Sequence, residues 1–165
     1  MSFHKCFYCE QSTKQTRKEI DHYLEVEERP ELAFDWDNLY LSCCECNRKL
    51  TNRALAASSC VNPCDPNIDP GDHLSFDDEF IRAKPGSGRG AETIRKYRLD
   101  RSDLDHKRVR LLRDFLTRLV EIRDAQNRDG GRPMTEAEKE ILRAYRQAER
   151  PFSLMFRIYL ERNHL

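Results

Sequence analysis

Two cysteine pairs, Cys6 with Cys9 and Cys43 with Cys46, bracket a stretch that also holds Asp21-His22, Asn38 and Asn47. Each C-x-x-C pair closes a tight knuckle whose sulfurs point to one centre, so two pairs give the four-thiolate set of a structural zinc ion. A redox C-x-x-C would need one pair in a βαβ setting, not two pairs around polar residues. The residues between the pairs offer a different chemistry. An imidazole changes charge near neutral pH and can take a proton from water, and beside it stand a carboxylate and two amides. Taken singly, Asp21 and Asn38 read as turn or cap residues; in this order, between these thiols, they read as a site.

That order, Asp-His, then Asn, then Cys-Asn, resembles the HNH endonucleases, whose ββα-metal core is a β-hairpin followed by a short helix. In the zinc-stapled branch, cysteine pairs flank the core as they do here, and Asn47 stands where many members carry a third histidine. The resemblance implies an α+β fold: a ββα-metal core with a four-cysteine structural zinc site, followed by a mainly α-helical C-terminal part. His22 is then the general base that activates water for phosphodiester hydrolysis. Asp21 and Asn47 supply oxygen ligands to one catalytic Mg²⁺ or Mn²⁺, and Asn38 ties the hairpin loop so that His22 faces the phosphate. Neighbours on a strand point to opposite faces, so Asp21 and His22 need a local bend to serve one site.

Local patterns along the chain set out the scaffold for these residues. The alternation of Ile20, His22, Leu24 and Val26 against Asp21, Tyr23 and Glu25 predicts a strand. The loop 27–37 holds Leu32, Phe34 and Trp36, expected to pack it down with Trp36 in the core. A second strand spans 38–42 and a short helix runs from Cys44 to about Arg53, with Arg48 and Lys49 as candidate phosphate contacts. Residues 54–72 are irregular and proline-rich, with Cys60 and Cys64 read as free, part-buried thiols. A second hairpin covers 73–84, and the glycine-rich 85–90 is a flexible linker or loop. Helices fill 91–165. One begins at a Ser102–Asp105 capping box, buries Leu104, Leu111, Leu112, Phe115, Leu116, Leu119 and Ile122, and turns Lys107, Arg110, Arg113, Arg118 and Arg123 outward. Thr135 with Glu138 caps the next, and Pro151 suits the first turn of the last.

The organisation is therefore a zinc-stapled nuclease core at 1–84, the linker at 85–90 and a helical region at 91–165. A ββα unit is too small to stand without a staple, which zinc supplies. Seven cysteines, an odd number, argue against a secreted disulfide framework. With no apolar run of membrane-spanning length and no apolar signal region, a reducing cytoplasm is the expected setting. Net charge is zero from 29 basic and 29 acidic residues, but it is unevenly spread. Residues 1–70 carry 8 Lys and Arg against 12 Asp and Glu, while 81–132 carry 15 against 8. The basic segment predicts that Arg110, Arg113 and Arg118 meet phosphates or an acidic partner surface.

Further motifs, Asn62-Pro63-Cys64-Asp65-Pro66, Thr93-Ile94, Leu99-Asp100 and Pro151-Phe152-Ser153, resemble the HNH subunit of Septu-type and retron-linked anti-phage systems. That likeness implies a DNA-cutting effector that associates with an ABC/SMC-like ATPase. The alternative is a non-catalytic zinc module that binds nucleic acid or a protein partner. It would keep the four cysteines but have no use for Asp21, His22 and Asn47 in one order.

Overall fold

The computed structural model describes residues 2–14 and 17–165. At the front, the first cysteine knuckle folds back on itself, with Cys6 N donating to Gln11 O at 3.0 Å and Glu10 N to Cys6 O at 2.9 Å. Phe7 N donates to Leu41 O at 3.0 Å, which stitches the knuckle to the hairpin. Strand β1 (Lys18–His22) pairs antiparallel with β2 (Leu39–Cys43), residue for residue from Lys18↔Cys43 to His22↔Leu39. Helix α1 (Cys44–Asn47) comes directly after β2, completing the ββα unit.

The front differs from the sequence reading in three ways. Strand β1 ends at His22, and its inward face is polar: Asp21 is buried while Ile20 is 59% exposed. Helix α1 stops at Asn47 instead of about Arg53, because the residues beyond it find partners elsewhere. Lys49 turns into the hairpin, Leu50 N donates to Lys96 O, and Asn52 N donates to Glu25 Oε1. Phe34 and Trp36, expected to pack the loop down, are 94% and 84% exposed. The loop has no need of them, since two 3₁₀ turns (Pro30–Leu32 and Trp36–Asn38) and the buried Asn38 amide already hold it.

A second hairpin, β3 (Leu74–Asp77) with β4 (Phe80–Ala83), turns through Asp78 at φ 50°. Helix α2 (Gly88–Tyr97) starts within the stretch read as a linker, capped by Ser87 Oγ accepting from Gly90 N. Gly90 is required there, because a Cβ would lie 2.2 Å from the His73 carbonyl oxygen. Helix α3 (Ser102–Arg128) dominates the rear, followed by α4 (Glu136–Arg143) and α5 (Ser153–Arg162). The Thr135–Glu138 capping box forms; the Ser102–Asp105 box does not, since Ser102 is already helical and Asp105 pairs with Arg108. Pro151 lies in the turn ahead of α5, with Phe152 left-handed at φ 56°.

Rear packing is aromatic. Phe115 of α3 meets Tyr145, Phe156 and Tyr159 at centroid distances of 5.1, 5.4 and 5.2 Å. Lys5 joins rear to front, donating to Glu10, Arg150 O and Ser153 Oγ. Among the described residues no helix is long and apolar enough to cross a membrane.

Candidate functional site

The four knuckle cysteines converge. Cys6, Cys9, Cys43 and Cys46 are all buried, with every Sγ within 4.8 Å of the others, and theirs is the one such His/Cys/Asp/Glu group among the described residues. Cys9 Sγ lies 3.9 Å from Cys43 Sγ. A tetrahedral ion with Zn–S bonds of about 2.3 Å sets sulfurs about 3.8 Å apart, so the spacing fits zinc. Hydrogen bonds from Cys46, Cys6 and Cys9 hold the Cys43 thiol far below its ordinary range. Arg101 of the α2–α3 turn adds positive charge, its guanidinium nitrogens lying 3.6 Å from Cys46 Sγ and 3.8 Å from Cys43 Sγ. Cys60 and Cys64 stand apart from this group, one buried and the other exposed.

The one-for-one register of β1 and β2 contains no bulge, so Asp21 and His22 occupy opposite faces. Asp21 faces inward. Its Oδ2 accepts the Tyr8 hydroxyl at 2.5 Å and the Lys49 ammonium at 2.6 Å, and Lys49 also donates to His22 O at 2.6 Å. Lys49 is thus not the surface phosphate contact expected from the sequence, since its side chain is 4% exposed and neutralises a buried carboxylate. Burial is the chief force raising the Tyr8 hydroxyl far above its ordinary range, with Tyr97 and Asp21 adding to it, so Tyr8 remains a donor. Tyr8 stacks on Tyr97 of α2 at 4.1 Å, which fixes the floor beneath Asp21.

His22 faces the loop. Its Nε2 lies 2.9 Å from the Ala33 carbonyl oxygen. A carbonyl only accepts, so Nε2 carries the hydrogen in this contact and the neutral ring keeps its lone pair on Nδ1. Asn38 builds the carbonyl's position. Its Oδ1 accepts from Leu24 N at 2.7 Å, and its Nδ2 donates to Leu24 O at 2.9 Å and Leu32 O at 3.2 Å. The amide therefore clamps both the residues after His22 and the residue before Ala33.

Asn47, at the end of α1, donates from Nδ2 to Glu19 Oε2 at 2.7 Å, which fixes the amide so that Oδ1 is the atom left to accept. Glu19 was missed in the sequence, although its i, i+2 spacing from Asp21 puts both on one strand face. Glu19 thus holds the Asn47 amide, while Asp21, two residues on, is held by Tyr8 and Lys49. Arg48 is exposed and pairs with Glu45 at 3.3 Å. Arg110, Arg113 and Arg118 lie exposed on α3, far along the chain from this hairpin, and Arg118 pairs with Glu121 at 3.0 Å.

Residues 6–53 match the HNH endonuclease family, so the cysteine-knuckled hairpin with α1 is an HNH domain. The chain also resembles Septu protein PtuB. It is 31% identical to PtuB of Bacillus mycoides (strain KBAB4) over 157 residues, covering 73% of this chain and 51% of that protein. It is 30% identical to PtuB of Bacillus thuringiensis over 105 residues, covering 61% of this chain and 40% of that protein. The chain thus spans about half or less of the length of these relatives. No solved structure matches it significantly.

Proposed function

We propose that this chain is a metal-dependent endonuclease that hydrolyses DNA phosphodiester bonds, and that it serves as the nuclease of an anti-phage defence complex with an ABC/SMC-like ATPase partner. The observation that carries the reading is the tie from Asn38 through the loop to the Ala33 carbonyl and His22. It orients the imidazole with Nδ1 as the free base, the state in which it can accept a proton from water. Among the described residues strand β1 has a partner on one edge only, so a phosphodiester along the open edge can meet His22. Asp21 and Asn47 would hold the cation, with Glu19 orienting the Asn47 amide; when bound, such an ion stabilises charge on the phosphate and leaving oxygen. Zinc at the four cysteines is structural, because four thiolates leave no open position. Cysteines that hold a metal in this way stay unoxidised in a reducing cytoplasm, which is the setting we propose.

Cleavage of supercoiled plasmid tests the base. His22→Ala should lower the cleavage rate by ~10²–10⁴-fold, while zinc content and thermal midpoint stay near those of the parent. An undiminished rate removes His22 from the mechanism. One observation favours a non-catalytic zinc module instead: Asp21 already holds the Lys49 ammonium at 2.6 Å. No cleavage by the parent chain with Mg²⁺ or Mn²⁺, alone or with the ATPase, would decide for that reading.

A further inference from the structure

The loop 27–37 presents two aromatic side chains to solvent where a packed loop would hide them. Phe34 is 94% exposed and Trp36, the sole tryptophan, is 84% exposed. Both stand on a fixed frame. Pro30 opens one 3₁₀ turn, Asp35 caps the next by accepting from Asp37 N at 2.9 Å, and the Asn38 amide clamps Leu32. Aromatic residues carried on a fixed backbone lose less entropy on binding than the same residues on a loose one, and tryptophan is among the residues that dominate interface energies.

The rim around the pair decides the partner. Glu27, Glu28, Glu31, Asp35 and Asp37 surround the two rings in sequence, all exposed, against one basic residue, Arg29, which is itself paired with Glu31. A polyanion brought here would set phosphates against five carboxylates. A protein surface with an apolar cleft edged by lysine and arginine would meet both features at once. Burying both rings hides about 300–500 Å², less than the roughly 800 Å² per partner of a standard interface. The loop is therefore the anchor of a larger contact.

We infer that Phe34 and Trp36 anchor a protein partner through a basic-rimmed apolar cleft. The inference rests on the reading that this chain works in an assembly with a second protein, and it adds where that protein grips. The grip also reaches the site, because Ala33, immediately before Phe34, carries the carbonyl that holds His22 Nε2.

The test titrates the full chain with the ATPase subunit of the proposed assembly and, separately, with a single-stranded oligonucleotide. Phe34→Ala/Trp36→Ala should weaken ATPase binding at least ~30-fold, with the thermal midpoint held because both side chains are exposed. Glu27→Lys/Glu28→Lys should weaken it too, and added salt should narrow the difference between this charge variant and the parent. An ATPase affinity unchanged by the aromatic double variant overturns the inference and leaves the assembly standing. Absence of any ATPase binding by the parent chain overturns both. Quenching of Trp36 emission by the oligonucleotide, with loss of oligonucleotide affinity but not ATPase affinity in the double variant, would make the pair a base-stacking platform and overturn the protein-docking assignment.

Discussion

The front hairpin and the rear helices are built on opposite patterns of burial. In the rear, the buried residues are chiefly Tyr97, Leu99, Leu104, Leu112, Phe115, Ile122, Leu142, Phe152, Met155, Phe156 and Leu160. Its buried charges, Lys96 and Arg108, are exceptions; Lys96 is held by Leu50 O, Asn52 and Leu55 O, and Arg108 by Leu99 O and Asp105. In the front, the buried set is four cysteines and two tyrosines beside Lys5, Gln11, Thr13, Asp21, Asn38, Ser42 and Asn52. The front buries too little apolar surface to hold itself by the hydrophobic effect alone. It is held by sulfur and by paired polar groups, and for that reason it can keep a carboxylate, an ammonium and two amides in fixed orientations. A core made of leucine and phenylalanine could not orient them.

Removing metal should break the contrast most sharply. Structural zinc contributes apparent binding energies of about 10–16 kcal/mol, so strong chelation or Cys43→Ser should unfold residues 2–53 and leave α3 largely formed. Hydrogen exchange read by peptide measures this: fast exchange in β1 and β2, with protection kept around Leu104–Ile122. Uniform loss of protection would mean that the halves are one cooperative unit, and purified protein without zinc would refute the staple.

The Asp21–Lys49 pair sharpens the comparison within the front. Lys49→Met leaves a buried carboxylate unpaired and should cost about 3–5 kcal/mol in urea unfolding. Adding Asp21→Asn should recover much of that, because the uncompensated charge is gone. A cost under about 1 kcal/mol for Lys49→Met would show that water reaches Asp21 and that the polar interior is less closed than its geometry implies.

The smallest effect belongs to the rear surface. Replacing Arg110, Arg113 and Arg118 with alanine should change stability by less than about 0.5 kcal/mol each, as their side chains lie in solvent. If α3 tracks substrate, DNA affinity should fall alike for all sequences, with the salt slope smaller by about one unit per lost phosphate contact. An unchanged slope with lost ATPase co-purification would assign the helix to partner docking. No change in either would make these arginines solvated surface.

The cysteine spacing alone determined the metal-binding group, because two C-x-x-C knuckles leave few ways for four sulfurs to lie other than around one centre. The order Asp21-His22, Asn38, Asn47 likewise carried the HNH domain, and helical periodicity carried α3 and α5, since both are local patterns. What the sequence could not decide was which partner each polar group takes. Alternation in β1 left open which face turns inward; only packing against Tyr8 and Lys49 buried Asp21 and left Ile20 outside. Lys49 and Arg48 look alike as residue types, yet one lies under the hairpin and the other in water, because α1 ends at Asn47 and the chain turns back. Trp36 has the composition of a core residue and became the most exposed kind of surface, since the Asn38 amide and two short turns had already closed the loop beneath it. Contacts between residues distant in sequence decide such outcomes, and they exist only once the chain has folded.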